Sequence, residues 1–217
     1  MSPRRGHCRE RCLGCGLHTR LCICALLPRL ATRTRVVLLM HKREVRRTSN
    51  TGRLALACLE NSALVVRGEL GANEPAPLWA PKSAPALLFP APDAVPLATW
   101  ATQCLTPATL IVPDGTWAQA QRVRERVPGL RDIPCVALPA GAPSAYRLRA
   151  PNGLERVSTL EAIARALGIL DGPEIRSALE RALTLMVERT LWMRGQIDST
   201  RMTSALPKEA QRHFDRT

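Results

Sequence analysis

Five short apolar runs, at residues 35–40, 63–67, 84–89, 108–112 and 133–138, alternate with stretches of helical composition. That alternation constrains the fold more than any other feature, because strands joined by helices pair in parallel and need cover on both faces. Residues 52–60, 94–103 and 116–127 supply the intervening helices, the last stopped by Pro128-Gly129. Further on, Val157, Leu160, Ala164 and Leu167, then Ile175, Leu179, Ala182, Met186 and Met193, recur at helical spacing. Residues 72–96 are rich in proline and alanine and read as connecting loops. The predicted class is α/β, a mostly parallel sheet with flanking helices. No apolar run approaches the roughly 18 residues of a membrane span. Met1-Ser2-Pro3-Arg4-Arg5 leads into cysteines and charge rather than an apolar signal. A soluble, cytoplasmic protein is expected.

The eight cysteines are unevenly placed. Cys8, Cys12, Cys15, Cys22 and Cys24 crowd the first 24 residues, whereas Cys58, Cys104 and Cys135 lie alone among apolar neighbours. Clustered cysteines without a secretion signal read as metal ligands rather than disulfides. Cys12-x-x-Cys15, six residues, then Cys22-x-Cys24 offers four thiolates from two short loops, the donor set of a structural zinc site. Gly14 and Gly16 suit the turns beneath such a knuckle. An iron–sulfur cluster or a redox-active thiol pair would use the same atoms, and Cys8, His7 and His18 are substitute ligands. The three isolated cysteines are expected to be inert core residues.

Charge divides at nearly the same place. Residues 1–53 hold 13 of the 31 lysines and arginines against only Glu10 and Glu44, and so carry +11 of the net +13. A basic patch confined to one quarter of a chain is the footprint of a polyanion. The plainer alternative is a solvated basic face or a disordered arm.

Three clusters hold residues suited to chemistry. Asp114-Gly115-Thr116-Trp117 follows a strand directly and opens a helix, the place where open α/β sheets bind ligands. Asp114 is either a helix cap or part of a site, and an indole at Trp117 needs a pocket or a partner. Ser144-Ala145-Tyr146-Arg147-Leu148-Arg149 holds the sole tyrosine and two arginines that either clamp a carboxylate or phosphate or face solvent. Residues 41–53 join five basic side chains to Ser49-Asn50-Thr51 before a helix, an anion-binding entrance. His41 there is either a structural hydrogen-bonder or a catalytic group.

Taken in order, the cysteine pairs, His41-Lys42-Arg43-Glu44, Ser49-Asn50-Thr51-Gly52-Arg53-Leu54, Pro113-Asp114-Gly115-Thr116-Trp117, Ser144 to Arg149 and Val157-Ser158-Thr159-Leu160-Glu161 resemble the DTW-domain family. The family often carries proline between the cysteine pairs, where this chain has Leu17-His18. The resemblance implies a tRNA-uridine aminocarboxypropyltransferase. Such an enzyme moves the 3-amino-3-carboxypropyl group of S-adenosylmethionine to N3 of a tRNA uridine, that of the variable loop (position 47) in bacterial members. It also implies a SPOUT-like fold with a C-terminal trefoil knot, a zinc knuckle over residues 1–30 and a DTW domain over 31–217. By the same resemblance Asp114 is the catalytic base. Phe89, Pro90, Gly115, Thr116, Trp117, Ser144, Tyr146, Arg147, Arg149, Ser158 and Thr159 face the cofactor. Lys42, Arg43, Arg46, Arg47, Asn50, Thr51 and Arg53 face tRNA, and Cys12, Cys15, Cys22 and Cys24 hold zinc. A monomer is favoured. A SPOUT-type methyltransferase, or a non-catalytic zinc-containing RNA-binding protein, are the alternatives.

Overall fold

The structure is a computed structural model, and it describes residues 10–45, 47–68, 77–148 and 157–210. Strand β1 (Arg35–His41) is buried from Val36 to Met40. An unbroken apolar run of this kind belongs to a strand covered on both faces. It pairs in parallel with β2 (Ser62–Arg67) on one side and β5 (Ala108–Asp114) on the other. β3 (Ala84–Leu88), β6 (Cys135–Ala137) and the two-residue β4 (Val95–Pro96) complete a six-stranded sheet in the order β2-β1-β5-β3-β6-β4. Every pairing is parallel, as the alternation of strands and helices predicts.

Side chains alternate across the sheet and build two cores. Val36, Leu38 and Met40, with Leu110 and Val112, face α2 (Thr51–Cys58), α6 (Thr159–Leu170) and the long α7 (Pro173–Met193). Val37, Leu39 and Ile111 face the other way, onto Val123, Val127 and Leu130. Gly172, at φ +128°, turns the chain between α6 and α7, and Pro173 starts α7 where a missing N–H costs nothing. Cys15, Leu17 and Ile23 are buried in the same core as α2 and α6, so the cysteine-rich segment packs onto the sheet domain.

Two elements depart from expectation. The helix expected at 94–103 shortens to α3 (Leu97–Gln103), because Val95–Pro96 adds an edge strand to β6. Proline is tolerated there, since an edge strand leaves one row of N–H groups unused. The single helix expected at 116–127 is α4 (Trp117–Gln121) and α5 (Val123–Arg126), broken at Arg122, whose backbone sits at φ −81°, ψ −4°. Val123, which opens α5, and Val127, just past its end, are buried in the core while Arg122 is exposed. A further short helix, α1 (Lys42–Val45), follows β1. No helix of the described residues is long and apolar enough to cross a membrane.

Candidate active site and cysteine centre

In a parallel sheet the carboxyl ends of all strands lie along one edge. Asp114 is the last residue of β5, one of the two central strands, and its side chain is buried on the face of α2 and α6. It does not cap the helix that follows. Thr116 does, accepting from the Gln119 N–H, while the Gln119 side chain reaches back to the Thr116 N–H at 2.8 Å. The capping reading of Asp114 is therefore corrected.

The carboxylate instead ties two distant helices together. Asn50 Nδ2 donates to Asp114 Oδ2 and Thr159 Oγ1 donates to Asp114 Oδ1, each at 2.6 Å. Asn50 is the N-cap of α2, its Oδ1 accepting from the Arg53 N–H, so its amide orientation is set from both ends. Thr159 is the first residue of α6, and the next N–H, Leu160, donates to Thr51 Oγ1. The positive ends of two helices thus converge on one anion. Gly52 makes the approach close enough. A Cβ there would stand 2.9 Å from Leu38 Cδ2 and 3.2 Å from Thr159 Cγ2.

A second carboxylate, which motif reading did not single out, organises the loop beside it. Glu161 is buried and accepts from the Ser158 N–H, Ser144 Oγ and the Ala145 N–H, all at 2.7 Å. Ser158 returns the bond to the Glu161 N–H, closing a capping box. The signal was present as Ser-x-x-Glu before an apolar run. Its reach to Ser144 and Ala145 is a tertiary fact. The neighbouring Tyr146 hydroxyl donates to the Ser49 carbonyl at 2.8 Å, bringing the Ser144 loop against the entrance to α2.

The residues singled out therefore divide. Asp114, Asn50, Thr51, Ser144, Tyr146, Ser158 and Thr159 meet in one buried or half-buried cluster. Asn50 and Thr51, expected toward a nucleic acid backbone, are buried there instead. Gly115 and Thr116 are exposed beside it, as are Arg147 and Pro90, with Phe89 half-buried. Lys42 and Arg43 are exposed. Arg47 pairs with the buried Glu44 at 3.2 Å, and Arg53 spends its guanidinium on the Val45 and Leu13 carbonyls. Arg46, Arg149, Cys8, His7 and the Trp117 side chain lie outside the described residues. The peptide of Trp117 opens α4.

The four cysteines form a separate centre. The sulfurs of Cys12, Cys15, Cys22 and Cys24 all lie within 4.8 Å of one another, with three pairs at 3.4, 3.5 and 3.8 Å. A zinc ion with four thiolates about 2.3 Å away requires sulfur separations of about 3.8 Å. The geometry fits that ion. Gly14 is required beneath it, since a Cβ would stand 2.8 Å from Cys24 Sγ. Burial opposes ionisation of Cys12, but the Cys15 and Gly14 N–H groups and the Cys22 and Cys24 thiols bring it down to about 6. Burial and the neighbouring thiols push Cys24 up instead. Four thiolates cannot share so small a volume without a cation. His18 is not a ligand; its ring is buried, pairs with Glu10 and accepts from the Arg20 N–H.

A parallel α/β domain carrying a four-cysteine centre, with its signature carboxylate at the end of a central strand, defines the class. The chain belongs to the DTW-domain family, whose model matches residues 9–191. Among characterised relatives, a Drosophila melanogaster protein named tRNA-uridine aminocarboxypropyltransferase 2 is 33% identical over 183 residues, 81% of this chain and 72% of that protein. Proteins of the same name from Macaca fascicularis and Mus musculus are 29% identical over 170 residues, 75% of this chain and 57% of theirs. No solved structure matches the chain.

Proposed function

We propose that the protein is a tRNA-uridine aminocarboxypropyltransferase, and the observation that carries this reading is the Asn50–Asp114–Thr159 cluster. Uracil N3–H is a weak acid and becomes a competent nucleophile only on losing its proton. Asp114 accepts that proton. Each carboxylate oxygen uses one lone pair on its partner, Asn50 or Thr159, and keeps another, so the base stays oriented while remaining open to a substrate. S-adenosylmethionine, when bound, supplies the γ-carbon that N3 attacks, with 5′-methylthioadenosine as leaving group.

All three carbons on a sulfonium are electrophilic, so choosing the γ-carbon is a matter of position. The Ser144–Tyr146 loop, pinned by Glu161 and by the Tyr146–Ser49 bond, sets one wall of that position. Arg147, exposed at its end, pairs the carboxylate of the aminocarboxypropyl group, and Arg149 assists. Phe89, Pro90, Gly115 and Thr116, on the loops after β3 and β5, and Trp117, at the start of α4, hold the adenosine side. Lys42, Arg43 and Arg46 hold the tRNA backbone, with the variable-loop uridine as target. Zinc in the four-cysteine centre fixes the knuckle and takes no part in the transfer.

We also propose that the sheet belongs to the SPOUT-like folds and that its C-terminal part is knotted. The order β1-β5-β3, in which the chain visits the sheet edge as β4 before returning to the middle, supports this reading.

Mass spectrometry of tRNA nucleosides after incubation with protein and S-adenosylmethionine tests the activity. Uridine heavier by one aminocarboxypropyl group, with 5′-methylthioadenosine in the supernatant, is the expected result. A methylated nucleoside with S-adenosylhomocysteine would make the protein a methyltransferase. Unmodified tRNA retained by the protein would make it a binding protein.

A further inference from the structure

A cleft lies along the same sheet edge, bordered by Asp114, and the proposed transfer assigns no role to the cations around it. It is lined by His41, Arg67, Arg122 and Arg126, and Asp114 itself and Gln119 are part of its wall. Its β1 lining, Leu39 and His41, lies on the face of the sheet opposite Leu38 and Met40, while Asp114 belongs both to the cleft and to the cluster with Asn50 and Thr159. Val37 and Leu39 face Val123 and Val127, so His41, two residues on, shares that face. Arg67 ends β2 directly beside His41 in the strand register. Arg122 and Arg126 come from the break and the end of the α4–α5 pair.

Among the described residues, neither Arg67, Arg122 nor Arg126 takes part in an ion pair, whereas the intervening Arg124 is bound to Asp93 at 2.6 Å. Arg67 is half-buried, and burial together with the Arg126 charge holds its guanidinium below the ordinary range. Like charges gathered at one cleft repel until an anion arrives, and at the half-buried Arg67 partial desolvation adds to that cost. His41 adds a donor. Its Nδ1 accepts from the Arg43 N–H at 3.2 Å, so the neutral ring carries its proton on Nε2. Burial, then Arg43, Arg67 and Lys42, favour that neutral form. Nε2 and the Lys42 stem both border Gly68, each 3.7 Å from where a Cβ would stand.

We infer that this cleft seats a phosphodiester of the RNA substrate, gripped by Arg67 and Arg126 with His41 Nε2–H as a third donor. The inference rests on the tRNA-modifying reading. An oxyanion could also come from the cofactor's carboxylate. The structure favours RNA, because His41 leads directly into the exposed Lys42 and Arg43, and neither Ser144 nor Tyr146 lines the cleft.

The test uses the full chain and measures tRNA Kd against salt, and S-adenosylmethionine Kd by calorimetry, for the wild type, R126Q, the pair R122Q/R126Q and R67Q. Arg122 and Arg126 are exposed, so their variants decide the matter if R67Q folds poorly. Each phosphate contact removed should weaken tRNA binding several-fold and lower the log–log salt slope by about one. Cofactor Kd should stay within about two-fold of wild type, since no phosphate contact serves it. An unchanged tRNA slope with weakened cofactor binding would assign the cleft to the carboxylate and overturn the inference. Unchanged values for both would leave the cleft without a ligand, with equal consequence. A wild type that binds and modifies tRNA while the variants behave normally refutes this inference alone. A wild type that neither binds nor modifies tRNA refutes the parent reading as well.

Discussion

Asp114 has two jobs that one substitution separates. It ties α2 to α6, and in the proposed reaction it takes a proton. Asp114→Asn keeps the shape, and the side chain can accept from Asn50 through its oxygen while donating its amide to a rotated Thr159 hydroxyl. The fold should survive with a loss of about 1 kcal/mol or less, the scale of one neutral hydrogen bond. Turnover should drop about 10²–10⁴-fold, the worth of a general base. Raising the pH should recover part of it, because more uracil ionises unaided. Kinetics over a pH series, with thermal melts as control, checks the split; near-normal turnover at neutral pH would leave Asp114 architectural. Gly52→Ala probes the tie from the other side. Its Cβ would press on Leu38 and Thr159, so a loss of about 1–3 kcal/mol is expected, the cost of overpacking. The same push moves Thr159 off the carboxylate, so turnover should fall more than a melt alone accounts for.

Among the elements, the knuckle and the Ser144 loop depend on different glue. Four sulfurs poised for one cation predict about one zinc per chain, and Cys22→Ser should lose it together with the order of residues 10–30. Metal analysis and a shifted melt check this; freshly purified wild type without zinc would reject the assignment. The loop is held by Glu161, and Glu161→Gln exchanges one acceptor oxygen for a donor facing the Ser144 and Ala145 donors. Cofactor affinity should weaken while tRNA affinity holds, as calorimetry with each ligand would report. At this scale the sequence was readable in part. Apolar runs at 35–40 and 108–112 announced central strands, and cysteine spacing announced the cluster. The break at Arg122 was not readable, since nothing in residues 116–127 opposes a continuous helix, and Val123 and Val127, four apart, share one face with or without it. Nor could local pattern assign Asn50 and Thr51 inward, because Ser-Asn-Thr before a helix reads the same whether its side chains meet phosphate or protein.

Across the whole molecule, charge and topology act at long range. The basic excess in residues 1–53 predicts tRNA binding that weakens steeply with salt, and a single chain is expected by light scattering. Arg67, Arg122 and Arg126 escaped the sequence reading because they lie outside that segment and meet only when β2 and the α4–α5 break arrive at one edge. The Asp114 tie has the same character. Its partners stand 64 and 45 residues away along the chain, on opposite sides of it, so no fragment shorter than residues 50–159 contains the tie. Ordering contacts that distant is slow, because the loops must close before the bonds repay them. Competence is therefore a late event in the life of each molecule. During refolding, helical signal should return first and transferase activity last, with a lag between them. A chain still being synthesised, lacking α6, would be unable to act on any tRNA near the ribosome.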